Sequence, residues 1–235
     1  MWLYLILGLI ILAFSGDMLV RGSVDLSKIL KVSPFIIAGT LVAFGTSIPE
    51  FFVSVMASIE GSPEAAIGNI LGSNFANVFL ALGAAAFINV ILPPKNMNFT
   101  DITVLLVFSI VFAFISLNLS SFSMWFGSAL VLTLIIYLFY TIKNNSINEN
   151  EDLSSHNLNV SKSIFIFILG LVGILFGSKL LVNGSLYIAK YYGIRETVVG
   201  IVILALGTSL PEVVTSIVAS IKKEYNIAIG NIVGS

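Results

Sequence analysis

Two heptapeptides place a glutamate directly after a proline inside strongly apolar surroundings. GTSIPEF at 45–51 brings together Thr46, Ser47 and Glu50, and GTSLPEV at 207–213 brings together Thr208, Ser209 and Glu212. Pro49 has no N–H, and its ring clashes with the carbonyl four residues back, so a helix here must kink or break near 45–49. The break would set main-chain oxygens around Ala43–Thr46 beside the side chains of Thr46, Ser47 and Glu50. Thr46 and Glu50 stand four residues apart on one helix face, which Ser54 extends by a further turn. The next segment, AIGNILGSNFANVF at 66–79, repeats Asn69, Ser73 and Asn77 every four residues, and the glycines Gly68 and Gly72 would admit a second backbone. Two carboxylates surrounded by hydroxyl, amide and carbonyl oxygens suit a hard cation; Ca²⁺ takes about 6–8 such ligands.

The composition defines the medium in which this site must work. Of 235 residues, 57% are hydrophobic and 10% charged, and the mean hydropathy is +1.06. A soluble domain of this make-up would expose too much apolar surface. Windows of about 20 apolar residues recur, each long enough to cross the hydrocarbon layer as a helix. The chain therefore reads as an all-α polytopic membrane protein with segments near 2–20, 34–59, 65–90, 100–118, 122–142, 163–182, 196–221 and from 226 onward. A lone charged acid at the bilayer centre costs about 2.5–3.5 kcal/mol or more, so an intramembrane glutamate points to function. There is no cysteine and one histidine, His156, which argues against thiolate or imidazole metal chemistry. The net charge of −1 and the lack of a basic run give no sign of a nucleic-acid partner.

The chain is also internally duplicated. Adding 162 to a residue number aligns 6–73 with 168–235 without a gap, and 27 of those 68 positions are identical. The matches include Gly, Asn, Ser, Pro and Glu, which generic hydrophobicity does not bring into register. Residues 1–142 form a first transmembrane half, with the first repeat motif at about 34–90. The stretch 143–162 is a hydrophilic linker, and 163–235 is the start of a second half whose motif begins near 196. Five segments precede the second copy, so the two copies enter the membrane from opposite sides as an inverted repeat, an arrangement many secondary transporters use. The first segment thus belongs to the fold rather than to a signal peptide, which would also need a basic start. With the N-terminus outside and the linker cytoplasmic, Arg21, Lys28, Lys31, Lys95, Lys143, Lys162, Lys222 and Lys223 fall inside, against Lys179, Lys190 and Arg195 outside. Repeat symmetry further predicts a second half running about 70 residues past Ser235, with the partner of Asn77 at 239 (77 + 162), so the chain reads as C-terminally truncated.

The paired G-T-S-x-P-E motifs, each followed 23 residues after its glutamate by the serine of G-N-I-x-G-S, resemble the two α-repeats of the sodium/calcium exchanger family, within the calcium:cation antiporter superfamily. The resemblance implies a ten-helix fold of two inverted five-helix halves, of which about eight segments are present. It also implies exchange of Na⁺ for Ca²⁺ across the cell membrane. Carried over position by position, it places ion ligands on Thr46, Ser47, Glu50, Ser73 and Asn77, on Thr208, Ser209, Glu212 and Ser235, and on the carbonyls of Ala43 and Ala205. The T-S-x-P-E form resembles the sodium-coupled branch rather than its proton-coupled relatives. No cofactor is implied, the transported ions and the bilayer are the expected partners, and the chain is expected to act as a monomer.

Other readings fit the same residues. A Ca²⁺/H⁺ exchanger would use the glutamates as proton acceptors on the same scaffold. A passive channel could line its pore with acids, although an inverted duplication suits alternating access better. An intramembrane enzyme would need a Ser/His or Ser/Lys pair or an HExxH pattern, none of which is evident. Ser54 and Ser216 are expected to bond back to the backbone, and Asp17, aligned with Lys179, is expected to be an interfacial charge. Asn69 and Asn231 are open to either helix packing or ion binding.

Overall fold

A computed structural model describes residues 2–92, 99–116, 124–144, 158–193 and 205–235; among them every regular element is helical. The helices are α1 (Trp2–Leu30), α2 (Pro34–Thr46), α3 (Ile48–Ile59), α4 (Pro63–Ile88), α5 (Phe99–Ser116), α6 (Met124–Asn144), α7 (Val160–Tyr191), α8 (Ala205–Thr208), α9 (Leu210–Ile221) and α10 (Tyr225–Gly234). Four of them, α1, α4, α6 and α7, are long and apolar enough to cross a membrane, and the bent pair α2–α3 makes a fifth span. Most of the linker 143–162, with His156, lies outside the described residues, as do 194–204, which would open the second copy of the bent span.

Helices α1 and α7 outrun the segments expected from hydropathy, reaching 29 and 32 residues. Polar residues such as Arg21, Asp25 and Lys28 end the apolar run of α1, but no proline or glycine stops the helix until Lys31 and Ser33-Pro34. A helix this long exceeds the ~20 residues needed to span hydrocarbon, so it must tilt or project. It ends on Lys31, which takes the left-handed conformation (φ 56°) that closes many helices. The same conformation recurs at Gly61, Gly193 and Lys223. These four positions are two repeat-related pairs, 31 with 193 and 61 with 223, so both copies terminate their helices alike.

The long helices are the spine of the molecule, and their seam demonstrates the inversion directly. A Cβ on Gly8 would lie 3.0 Å from the Leu181 amide nitrogen, and one on Gly170 would strike the Leu19 backbone. A Cβ on Gly22 would lie 2.7 Å from Phe167 Cα, and one on Gly184 would lie 2.9 Å from Leu5 Cδ2. In each of these four contacts the positions sum to 189, so the repeat-equivalent helices run antiparallel. Each contact also has its mate: Gly8 with Leu181 becomes Gly170 with Leu19 when 162 is added or subtracted. Small residues let two helices meet backbone to backbone, the usual way to pack where lipid removes the hydrophobic drive. Leu12, Leu19, Phe167 and Ile174 from this seam form one buried cluster with Phe35, Ile36 and Val42 of α2.

Candidate cation site

Ser33 starts α2 by accepting the Ile36 amide at its hydroxyl, with Pro34 at the first helical position. The helix loosens to π geometry at Ala38–Val42, where α10 lies close: a Cβ on Gly230 would meet the Ala38 side chain at 2.7 Å. Bulges of this kind concentrate at functional sites. α2 then stops at Thr46, and α3 restarts at Ile48 with Pro49 in its first turn, bent by 45°. Ser47 sits at the corner with φ −83° and ψ 8°, and Ser209, its counterpart before α9, has φ −86° and ψ 3°. Both breaks therefore fall where the prolines predict, and each puts its glutamate in the first turn of the helix that follows.

The two breaks meet across the repeat boundary. The Ser47 hydroxyl donates to Glu212 Oε1 at 2.9 Å, and the Ser209 hydroxyl donates to Glu50 Oε1 at 3.2 Å. Glu50 is 7% exposed and Glu212 1%. In each carboxylate the second oxygen, Oε2, is buried without a hydrogen-bond partner, and so is Oδ1 of Asn77. Such groups are expensive to bury unsatisfied, so three acceptor-only oxygens in one region describe a place suited to a cation. Among the described residues no three Asp, Glu, His or Cys side chains cluster, so any ion held here must also draw on neutral oxygens.

Of the residues expected from sequence, Ser47, Glu50, Ser73, Asn77, Glu212 and Ser235 line a single cavity of about 880 Å³. Away from the carboxylates its wall is apolar, running along α3 and α4 through Phe51, Val55 and Ile70. Thr46 and Ser209 are fully buried beside it. The Thr46 hydroxyl donates to the Ala43 carbonyl at 3.2 Å, which also accepts the Ser47 amide at 3.0 Å. That carbonyl therefore already has two donors in this conformation, which uses both its lone pairs. Ser73 and Ser235 likewise bond back to their own helices, at Ile70 and Asn231. Thr208 ends α8 and Ala205 begins it, so both stand at the second break.

Two asparagines that the sequence left open have a definite place. Asn69 Nδ2 donates to the Glu50 carbonyl at 3.1 Å and to Ser54 Oγ at 3.0 Å. Asn231 Nδ2 donates to the Glu212 carbonyl and to Ser216 Oγ, both at 3.2 Å, and its Oδ1 lies 3.2 Å from the Thr46 hydroxyl. They hold the backbone of the glutamates, and Ser54 and Ser216, expected to bond back to the backbone, serve as their acceptors. The signal was present in the sequence as a constant offset, since 69 − 50 and 231 − 212 are both 19. The expected close approach at Gly68 and Gly72 meets nothing among the described residues.

A family model described as "Sodium/calcium exchanger protein" matches residues 1–143 and 162–235. An uncharacterized membrane protein of Methanocaldococcus jannaschii is 38% identical over 232 residues, spanning 99% of this chain and 76% of that protein. The sodium/calcium exchanger MaX1 of Methanosarcina acetivorans is 32% identical over 277 residues, spanning 100% and 78%. A solved structure of the sodium-calcium exchanger NCX_Mj, soaked with Na⁺ and Sr²⁺, superposes with a TM-score of 0.88 at 38% identity, covering 99% of this chain and 76% of that one.

Proposed function

This chain belongs to the sodium/calcium exchanger protein family, whose members are membrane antiporters rather than enzymes, and from that premise we propose that it exchanges Na⁺ for Ca²⁺ at a midplane site built on Glu50 and Glu212. The observation that carries the reading is the set of buried oxygens without donors, Glu50 Oε2, Glu212 Oε2 and Asn77 Oδ1, on residues that line one cavity. Two carboxylates match the charge of one Ca²⁺ or of two Na⁺, so either cargo neutralises the pair. The remaining ligands are drawn from Thr46, Ser47, Ser73, Thr208, Ser209 and Ser235, with the carbonyls of Ala43 and Ala205.

Alternating access is supported by a departure from symmetry. Gly16 of α1 abuts Val214 and Val218 of α9. The mate of that contact would set Ser178 of α7 on Phe52 and Met56 of α3, yet those two are 60% and 49% exposed. The α1–α7 pair thus leans on α9 of the second copy and not on its counterpart α3, and exchanging those roles would open the site to the other side. In this reading the N-terminus is outside and the linker cytoplasmic, as the eight-to-three distribution of basic residues favours.

The test is ⁴⁵Ca²⁺ uptake into Na⁺-loaded proteoliposomes diluted into Na⁺-free buffer, with a pH gradient alone as control. Uptake that requires internal Na⁺ supports the reading. Uptake driven only by the pH gradient replaces it with proton coupling, and flux that never runs against a Ca²⁺ gradient replaces it with a channel.

A further inference from the structure

Asp17 in α1 pairs with Arg21 one turn on, at 2.8 Å, and with Lys222 at the end of α9. This bridge ties the spine to the second copy, next to the contact of Gly16 with Val214 and Val218. The repeat assigns each partner a mate: 17 + 162 gives Lys179 in α7, and 222 − 162 gives Glu60 at the end of α3. Both charges are inverted, and the mates are again opposite to each other. Among the described residues Lys179 and Glu60 are exposed and form no ion pair.

We infer that these four residues form two mutually exclusive latches, Asp17–Lys222 and Lys179–Glu60, each holding the spine against one copy and so closing one side of the cation site. The inference rests on the alternating-access reading above and adds what fixes its end states. The symmetry centre of the seam falls at 13.5 on α1 and 175.5 on α7. Asp17 and Lys179 therefore stand 3.5 residues, about 5 Å, to opposite sides of it. α3 and α9 start together at the site and run in opposite directions, which carries Glu60 and Lys222 to opposite faces. A spine that leans on α9 engages Asp17 and leaves Lys179 free, as observed. A spine that leans on α3 engages Lys179 and releases Asp17. Identical charges would have served no better than inverted ones, since only opposition within each pair matters. Partly exposed pairs are individually weak, which suits a contact that must break in every cycle.

The chain has no cysteine, so pairs of them can be introduced cleanly. Glu60→Cys with Lys179→Cys is reconstituted in a full-length chain carrying a protease site within 143–162 and treated with a short bifunctional thiol reagent. After cleavage the halves stay joined only if the pair is bridged. We expect cross-linking in the double-cysteine chain, and a rise of about two- to fivefold when Asp17→Asn or Lys222→Met weakens the opposite latch. No cross-linking, or a yield that neither substitution changes, overturns the latches. Exchange is measured in the cysteine-free parent, so loss of the transport reading is seen separately from loss of the latches.

Discussion

The hydroxyl of Ser47 belongs to the first copy of the repeat, and the carboxylate it holds, that of Glu212, belongs to the second. Ser209 returns the same bond to Glu50. The carboxylates are thus positioned by donors from the opposite half, and removing either donor frees one oxygen of the other half's acid. Ser47→Ala and Ser209→Ala are expected to weaken Ca²⁺ uptake to similar extents, each by about tenfold, as for one hydrogen bond to a charged group. Initial uptake rates over a Ca²⁺ titration check this; unequal losses of more than tenfold would break the equivalence.

Glu50→Gln and Glu212→Gln keep the shape of the side chain and remove its charge. Because Ca²⁺ affinity depends steeply on ligand charge, each is expected to lower Ca²⁺ binding by about 100-fold or more while the protein stays folded. Calorimetric titration with Ca²⁺, alongside a thermal unfolding scan, separates the two effects.

Much of the site was legible from spacing. The prolines located both breaks, and the duplication paired the hydroxyls that stand at them. Reciprocity was not legible: nothing in the order of Thr46, Ser47 and Glu50 says that Ser47 serves Glu212 instead of its neighbour. That choice depends on how two inverted copies cross, a long-range property. Helix length is not legible for a related reason, since hydropathy registers where lipid ends and not where the backbone stops, and α1 continues through Arg21 and Lys28 to Leu30 before Lys31 closes it. The asparagines were undecided because one amide can either donate to a carbonyl or ligate an ion, and only geometry distinguishes the two.

Asn231 is fully buried, and its amide nitrogen donates to two acceptors. Asn231→Ala is expected to cost about 1–3 kcal/mol by leaving the Glu212 carbonyl without that donor. Asn231→Asp should do at least as badly, because a carboxylate cannot donate where the amide did. Thermal unfolding in detergent measures both, and an unchanged midpoint would contradict the role assigned to this side chain.

The seam between the long helices makes a separate prediction. Gly22→Ala would place a methyl group 2.7 Å from the Phe167 backbone, an overlap expected to cost about 1–3 kcal/mol. Gly127→Ala, whose methyl group would meet nothing among the described residues, is the matched control and should leave the unfolding midpoint unchanged or slightly raised.

The crossed bonds of Ser47 and Ser209 also bear on how such a molecule could begin. A single copy inserted in one orientation has a glutamate but no donor for it, whereas two identical copies inserted in opposite orientations supply each other. An ancestral gene encoding one half would therefore have needed indifference to the direction of insertion, two products threading the membrane both ways and pairing head to tail. Fusion of two such genes makes that indifference unnecessary. It also frees the copies to diverge at positions such as 17 and 179, where one now carries an acid and the other a base.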